Sequence, residues 1–333
     1  MLLVLGLVSG LGWKYYHDIY GPNVKWKKEE PLYLYIPTGS DFNQLVQIIE
    51  EEGWLKNTSS FKWVAGLKEY DQKVKPGRYL LEHGMSNNEL VNSLRLGSQA
   101  AVKVTFNNAR TMSQLAGKLT RHLEVDSASL DAILGQDSTA HRYGFQPEQF
   151  PAMFIPNTYQ IYWTTTPEEL LDRMAREFKT FWTPERKKLA AGLGLSQSEV
   201  ATLASIVEEE TQMRDERSRV AGVYLNRLNR GMLLQADPTL KFAAGDFTIK
   251  RVLNKHKAID SPYNTYKYTG LPPGPIRIPD QHSIDAVLNA EKHGYLYFCA
   301  KSDFSGYHDF AKTYNEHLKN ARRYHSALNK RGI

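Results

Sequence analysis

The sequence predicts a mixed α+β fold in which a small domain and a larger one follow an apolar N-terminus. The chain has 333 residues, which is too long for one ordinary small domain. Short strand-like segments alternate with segments in which apolar residues recur at helical spacing. The single cysteine, Cys299, excludes an internal disulfide bond and a multi-cysteine metal site.

The N-terminus is almost wholly apolar up to Trp13, and the first charged residue is Lys14. About 13 such residues fall short of the roughly 20 that span a bilayer. Aromatic residues and a lysine directly after an apolar run are typical of a membrane interface, and no small-residue cleavage site follows. We therefore expect a membrane anchor over residues 1–20, truncated in this sequence, and a polar linker over residues 21–30. A buried N-terminal helix is the alternative.

The segment 31–98 has the element order of a small independent domain. Ser86 and Glu89 form a capping-box pattern, and Gly97 is typical of a helix end. Gly53 marks another helix end in the same way. In chain order we expect a strand at 32–36, helices over 42–52 and 61–67, a strand at 79–81 and a helix over 86–96.

The larger domain is expected over residues 99–333. Alternation predicts a strand at 102–106, and helical spacing predicts a helix from Thr111 to His122. Pro167 opens a long helix at its first turn. Residues 126–150 are predicted to be irregular, and residues 220–228 to be helical.

Three consecutive glutamates, Glu208 to Glu210, lie on a further predicted helix. Ser196 and Glu199 form a capping box, and apolar residues between positions 200 and 211 define one stripe that faces the core. At about 100° per residue, Glu209 falls opposite this stripe, in water, while Glu208 and Glu210 fall on its two flanks. A carboxylate at the edge of an apolar face can acquire a raised pKa and act as a general acid.

Four loops after this helix combine proline and glycine with polar and aromatic side chains, which suits a polyhydroxylated ligand. The net charge of +6 fits an anionic polymer, whether nucleic acid, an acidic membrane surface or a carboxylate-bearing glycan. The histidines are scattered without a metal-ligand spacing, so neither a metal site nor another cofactor is expected. The loops comprise residues 234–239, 261–266, 270–276 and 305–310.

Together these segments resemble the endolytic murein transglycosylase family, also called the YceG-like family. The resemblance implies an N-terminal transmembrane helix, a LysM-like subdomain over 31–98 and a catalytic domain over 99–333. The catalytic domain would lie on the outer, periplasmic side of the cytoplasmic membrane. This sequence has Glu209 where the family often has lysine. The segments that carry the resemblance are Ala204–Glu210, Asn226–Leu228, Leu234–Thr239, Tyr263–Tyr266, Gly270–Ile276, Phe154–Tyr159 and Tyr295–Phe298.

The resemblance also implies a reaction: cleavage of the MurNAc-β-1,4-GlcNAc bond inside nascent peptidoglycan strands without water. The products carry 1,6-anhydro ends, and strand elongation is terminated. Glu208 would act as general acid and then as general base, and Glu210 would support the site because it diverges from Glu208 by about 160° on the helix. Murein synthases are expected partners. Further residues expected to bind substrate or support the site are Asn226, Arg227, Gln235, Asp237, Thr239, Tyr263, Asn264, Tyr266 and His308.

Three other functions fit parts of the pattern. A non-catalytic peptidoglycan-binding protein would use the same loops with Glu208 in a structural role. A water-using muramidase would need two carboxylates, with Glu210 as the second. Nucleic-acid binding would fit the charge and the aromatic residues, but the sequence has no basic stripe or reader motif, so no nucleic-acid partner is expected.

Overall fold

The structure is a computed structural model that describes residues 2–26 and 30–331, and the chain forms two compact units. The first unit takes in the described residues up to Val104 together with residues 119–126 and 159–166. The second takes in residues 105–118, 127–158 and 167 onward. Helices and short antiparallel sheets occur in the chain, so the predicted mixed α+β class is confirmed. The predicted domain boundary at residues 98 and 99 stays a prediction.

The first unit is organised around one antiparallel strand pair. The strands pair from Leu32 opposite Leu81 to Ile36 opposite Gly77. Alternate side chains of both strands are buried, as expected when one face of a sheet packs on a core. The unit contains α1 (Leu2–Tyr20), β1 (Leu32–Ile36), α2 (Phe42–Glu52), α3 (Thr58–Leu67), β2 (Gly77–Leu81) and α4 (Asn87–Leu96).

Local capping signals predicted these helix ends correctly. Ser86 and Glu89 form the predicted capping box at the start of α4. Gly53 ends α2 with a φ of 64° and Gly97 ends α4 with a φ of 77°, a left-handed backbone that glycine adopts without a steric cost.

The N-terminal segment already packs onto this unit at Tyr15, because the ring centroids of Tyr15 and Trp63 are 5.3 Å apart. The carbonyl of Asp18 accepts a hydrogen bond from Asn87 Nδ2 at 2.8 Å, and Ile19 packs against the core. Asn23 and Val24 are buried rather than solvated, which differs from the polar linker expected there.

Among the described residues, no helix combines the length and apolarity needed to cross a bilayer. The anchor over residues 1–20 stays a prediction; residue 1 and linker residues 27–29 lie outside the described part.

Two further strand pairs are short. They join β3 (Val102–Phe106) to β4 (Asn157–Ile161), and β5 (Tyr297–Ala300) to β6 (His308–Ala311). The strand pair β5–β6 is antiparallel, with Tyr297 opposite Ala311. The segment Tyr295–Phe298, which carries part of the family resemblance, overlaps β5 at Tyr297 and Phe298.

The second unit is built around the buried helix α10 (Gln197–Glu210). All nine residues from Val200 to Glu208 are buried, because other helices and a 3₁₀ segment (Pro147–Met153) pack around α10. The other helices assigned to this part of the chain are α5 (Met112–Thr120), α6 (Ser127–Leu134), α7 (Asp137–Arg142), α8 (Pro167–Phe181), α9 (Pro184–Gly192), α11 (Arg217–Asn229), α12 (Asp237–Ala243), α13 (Asn254–Lys257), α14 (Gln281–Leu288) and α15 (Tyr314–Arg331).

The prediction of an irregular segment over 126–150 is wrong. Two short helices, α6 and α7, and the 3₁₀ segment occupy it. Leu130 and Leu134, four residues apart, are both buried on α6, but a helix of two turns offers only one such pair and gives a weak periodic signal.

Candidate functional site

The last turn of α10 carries three carboxylates at the end of the helix where negative charge is least favourable. Ser196 caps the start of the helix by accepting the Glu199 backbone N–H. At the other end, the partial negative charge of the helix dipole disfavours additional negative charge. Glu208, Glu209 and Glu210 therefore depend on partners from other elements.

Glu208 is enclosed by an ion pair and two hydrogen bonds. Its Oε1 lies 3.1 Å from Arg277 Nη2. Its Oε2 accepts the Asp280 backbone N–H at 2.7 Å and the Ser283 hydroxyl at 3.1 Å. Burial raises the pKa of Glu208, while Arg277 opposes that shift. Both oxygens are thus engaged by protein groups.

The prediction that Glu209 points into water is wrong. Its carboxylate pairs with Arg277 Nη1 and also accepts hydrogen bonds from Arg110 Nη2 at 3.0 Å to both oxygens. Only 18% of the side chain is exposed. The helical spacing is as predicted, but the arginines come from distant segments that cover this face of the helix.

The loop that brings Arg277 to α10 is fixed at two points. The Ile276 N–H donates to the Ser205 hydroxyl at 3.0 Å, which joins the Pro/Gly loop to the middle of the helix. Gly274 passes so close to Glu148 that a Cβ atom would lie 1.7 Å from its carbonyl oxygen. Only glycine fits there, so the loop's approach to α10 depends on this residue.

Glu210 has a different environment from the other two glutamates. Its Oε1 accepts a hydrogen bond from the Tyr224 hydroxyl at 2.7 Å. Burial raises the pKa of Glu210 to about 7; the Tyr224 hydrogen bond opposes this rise and the Asp237 carboxylate adds to it. A carboxyl group with such a pKa can both donate and accept a proton near neutral pH.

The side chain of Glu210 lines a polar cleft of about 270 Å³. Five of the predicted site residues meet there, and the predicted catalytic residue, Glu208, is not among the residues that line it. The cleft is lined by Glu210, Tyr224, Arg227, Leu234, Gln235, Asp237, Tyr266, Phe298 and His317.

Hydrogen bonds hold the cleft residues in place. Arg227 donates from Nε to the Leu296 carbonyl and from Nη1 to the Leu234 carbonyl, each at 2.7 Å. The Tyr266 hydroxyl donates to Asp237 Oδ1 at 2.5 Å. Gln235 has a φ of 52°, a left-handed conformation that is uncommon outside glycine and is found at functional sites.

Four of the remaining predicted residues support the loops and one stacks beside them. Asn226 Nδ2 binds the carbonyls of His293 and Tyr295. The Thr239 hydroxyl donates to the Ala236 carbonyl. Asn264 is fully buried and donates to the carbonyls of Lys257 and Ile259. His308 is bound to Glu216 through its Nδ1 and its backbone N–H. The Tyr263 ring packs on Phe242 with centroids 4.6 Å apart.

Sequence reasoning did not select Tyr224, Phe298 or His317 for the site. Tyr224 is almost fully buried in α11, and Phe298 lies in a strand, so both have the sequence signature of core residues. Within residues 2–26 and 30–331, no group of three His, Cys, Asp or Glu side chains is arranged to hold a metal ion.

The fold and the cleft define a mixed α+β protein with a polar cleft that holds Glu210, a carboxyl group whose pKa is raised to about 7. The chain belongs to the YceG-like family, whose model matches residues 34–323.

Named relatives agree with this assignment. The chain is 29% identical over 315 residues to the endolytic murein transglycosylase of Bacillus subtilis, covering 89% of this chain and 85% of that protein. It is 30% identical over 338 residues to the endolytic murein transglycosylase of Streptococcus pneumoniae strain D39, covering 90% of this chain but only 60% of the relative's length. A crystal structure of a yceG-like protein from Listeria monocytogenes matches with a TM-score of 0.57 at 27% identity, over 88% of this chain and 99% of that one.

Proposed function

We propose that this chain is an endolytic peptidoglycan lytic transglycosylase with Glu210 as its acid–base residue. The bond cleaved is the MurNAc-β-1,4-GlcNAc linkage within nascent glycan strands, and no water is consumed. The observation that carries the proposal is the single carboxyl group with a pKa of about 7 in a cleft of polar and aromatic side chains. Relatives at about 30% identity that are named endolytic murein transglycosylases support it.

The role that sequence reasoning gave to Glu208 passes to Glu210 in this proposal. Both oxygens of Glu208 are occupied by Arg277, Asp280 and Ser283, so a substrate oxygen would have to displace them. Glu210 lines the cleft, and among the described residues its side chain makes one hydrogen bond, from Tyr224. A general acid must come within hydrogen-bond reach of the atom that it protonates.

The reaction uses the Glu210 carboxyl group twice. The protonated form donates its proton to the glycosidic oxygen as the bond to C1 of MurNAc breaks, which releases the GlcNAc hydroxyl and leaves positive charge at C1. The MurNAc C6 hydroxyl then attacks C1 and gives its proton to the Glu210 carboxylate. This forms the 1,6-anhydro ring and restores the acid, so one carboxyl group suffices.

Other cleft residues have roles that match their chemistry. Tyr224 holds one oxygen of Glu210, and no described residue bonds to the other oxygen, which is available for proton transfer. Gln235 offers neutral hydrogen-bonding groups to the sugar hydroxyl and N-acetyl groups, and Phe298 offers an aromatic surface to a sugar ring. Arg227 supplies positive charge that suits the stem-peptide carboxylates of murein.

A water-using muramidase is the second candidate, because Asp237 lines the same cleft as Glu210. A second carboxylate could activate water or form a glycosyl intermediate. The short hydrogen bond from Tyr266 to Asp237 restrains that carboxylate and favours a supporting role. Products distinguish the two reactions, because hydrolysis leaves a reducing end.

Product analysis tests the proposal directly. Purified peptidoglycan strands incubated with the full chain are expected to yield fragments that end in 1,6-anhydro-MurNAc, identified by mass spectrometry. Fragments internal to the strand would establish endolytic cleavage. Reducing ends would replace the transglycosylase with the muramidase, and glycan binding without cleavage would favour the non-catalytic peptidoglycan-binding protein.

Location and partners follow from the same proposal. The catalytic unit acts on the periplasmic side of the cytoplasmic membrane, held there by the N-terminal helix, and terminates strand elongation beside murein synthases. Residues 31–98 serve as a LysM-like subdomain, which is supported by the order β1–α2–α3–β2. The full chain with a C-terminal tag is expected in the membrane fraction. Protease added to spheroplasts is expected to degrade the tag, and cross-linking is expected to join the chain to a synthase. A tag recovered in the soluble fraction would contradict the anchor.

A further inference from the structure

His317 reaches the cleft from a helix that lies outside every segment on which the family resemblance depends. It belongs to α15, which packs against β5. Its ring stacks on Tyr297, with centroids 5.5 Å apart and an interplanar angle of 23°, so the imidazole is held in one orientation. His317 and the strand residue Phe298 line the same cleft as Arg227.

The hydrogen bonding of the ring is incomplete. Nδ1 is buried, and no hydrogen-bond partner for it exists among the described residues. A buried N–H without an acceptor would be costly, so the proton of the neutral ring belongs on Nε2 and Nδ1 carries the lone pair. Burial, reinforced by the nearby Arg227 charge, lowers the pKa of His317. The ring is therefore neutral at neutral pH, with one donor left to offer.

We propose that His317 is a substrate-contacting residue that donates a hydrogen bond from Nε2–H to a neutral oxygen of the bound glycan. This proposal rests on the transglycosylase function above. The oxygen belongs to a sugar hydroxyl or an N-acetyl carbonyl, because a neutral imidazole has no charge with which to select a carboxylate. The neighbouring Phe298 provides an aromatic surface for the same sugar ring.

Binding can be measured without cleavage in a full chain that carries Glu210→Gln. The probe is a short peptide-free murein strand of defined length, titrated by calorimetry. His317→Phe keeps the ring stacked on Tyr297 but removes the donor, and is expected to weaken binding about tenfold. His317→Gln restores an N–H donor and is expected to recover part of that loss. His325→Phe changes an exposed histidine on the same helix and is expected to leave the Kd unchanged.

Activity gives a second readout in the chain that retains Glu210. His317→Phe is expected to raise KM about tenfold with a smaller change in kcat, because the lost bond is made to substrate before the transition state. Unchanged Kd and KM in a chain that still produces anhydro ends would overturn the role of His317 alone. A chain that makes no anhydro ends would overturn the proposed function, and the role of His317 with it.

A spectroscopic measurement separates substrate contact from a merely structural role. Nitrogen-15 shifts of the His317 ring are expected to show a protonated Nε2 and an unprotonated Nδ1 at neutral pH. The Nε2 resonance is expected to move when the peptide-free strand binds to the Glu210→Gln chain. A proton on Nδ1, or an Nε2 resonance that is insensitive to the strand, would contradict the proposal.

Discussion

Glu210→Gln is expected to lower the rate of glycan cleavage by about 10³–10⁴-fold, which is the upper part of the range for general acid–base catalysis. Glutamine keeps the shape of the side chain and can still accept the Tyr224 hydrogen bond, but it can neither protonate the glycosidic oxygen nor accept the C6 proton. The measurement is the rate of formation of anhydro ends.

The matched control is Glu208→Gln, two residues earlier on α10. It replaces the same type of side chain, but the Glu208 carboxylate is bound to Arg277 and does not line the cleft. The expected loss of activity is tenfold or less, about the effect of a small displacement of the helix end. If Glu208→Gln were inactive and Glu210→Gln active, the acid–base role would return to Glu208.

The pH dependence of stability gives an independent check on Glu210. Its pKa rises from the ordinary value of 4.5 to about 7 in the folded protein, so the folded state holds the proton more tightly than the unfolded chain. This contribution to stability is complete below pH 4.5 and is lost as the pH rises through 7. At pH 8, ionising Glu210 lowers the free energy of unfolding by at most about 3 kcal/mol. The actual loss is smaller because the side chain is only partly buried.

Glu210→Gln removes that cost. The variant is expected to be more stable than the unmodified chain at pH 8 and to lose this advantage by pH 4–5, as measured by urea denaturation. An advantage that does not change with pH would contradict the raised pKa of Glu210. The gain in stability with a loss of activity would also show that the inactive variant is folded.

The parts of the site that the sequence predicted are those set by local interactions. The capping box at Ser196 depends on residues within one helix and is correct. The residues of the apolar stripe are buried as predicted, but so are the residues between them, because other elements pack around α10. The helical spacing also placed Glu208 and Glu210 on opposite flanks of the helix. It could not tell which flank faces a cleft, because on a single helix the two positions are nearly equivalent.

The parts that it missed depend on residues far apart in the chain. Glu209 is paired because Arg110 and Arg277, about a hundred and seventy residues apart from each other, both reach α10. The pKa of Glu210 depends on Tyr224 and Asp237, which local spacing does not connect to it. Aromatic residues such as Phe298 have the same sequence signature whether they line a core or a cleft.

The ion pairs around Glu208 and Glu209 lead to the second large prediction. Arg277 is 10% exposed and contacts both carboxylates. Arg277→Met is expected to destabilise the protein by about 3–5 kcal/mol, because it leaves Glu208 buried without its counter-charge. The free energy of unfolding is measured by urea denaturation, with hydrogen exchange of the α10 amides as a local readout.

Arg110→Met is the matched control for this substitution. Arg110 contacts Glu209 but not Glu208, and its side chain is 37% exposed. The expected loss in the free energy of unfolding is therefore about 1 kcal/mol or less. If the two variants lost equal amounts of unfolding free energy, that result would contradict the inference that Arg277 compensates the buried charge of Glu208.

A double variant distinguishes the buried charge from the lost packing of the arginine side chain. Glu208→Gln combined with Arg277→Met removes both members of the pair, and is expected to recover more than half of the stability lost by Arg277→Met alone, since no uncompensated carboxylate remains at that position. The Asp280 N–H and the Ser283 hydroxyl can still bond to the glutamine oxygen. A double variant as unstable as Arg277→Met would mean that the arginine stabilises α10 through packing, and that neutralising Glu208 is not its main effect.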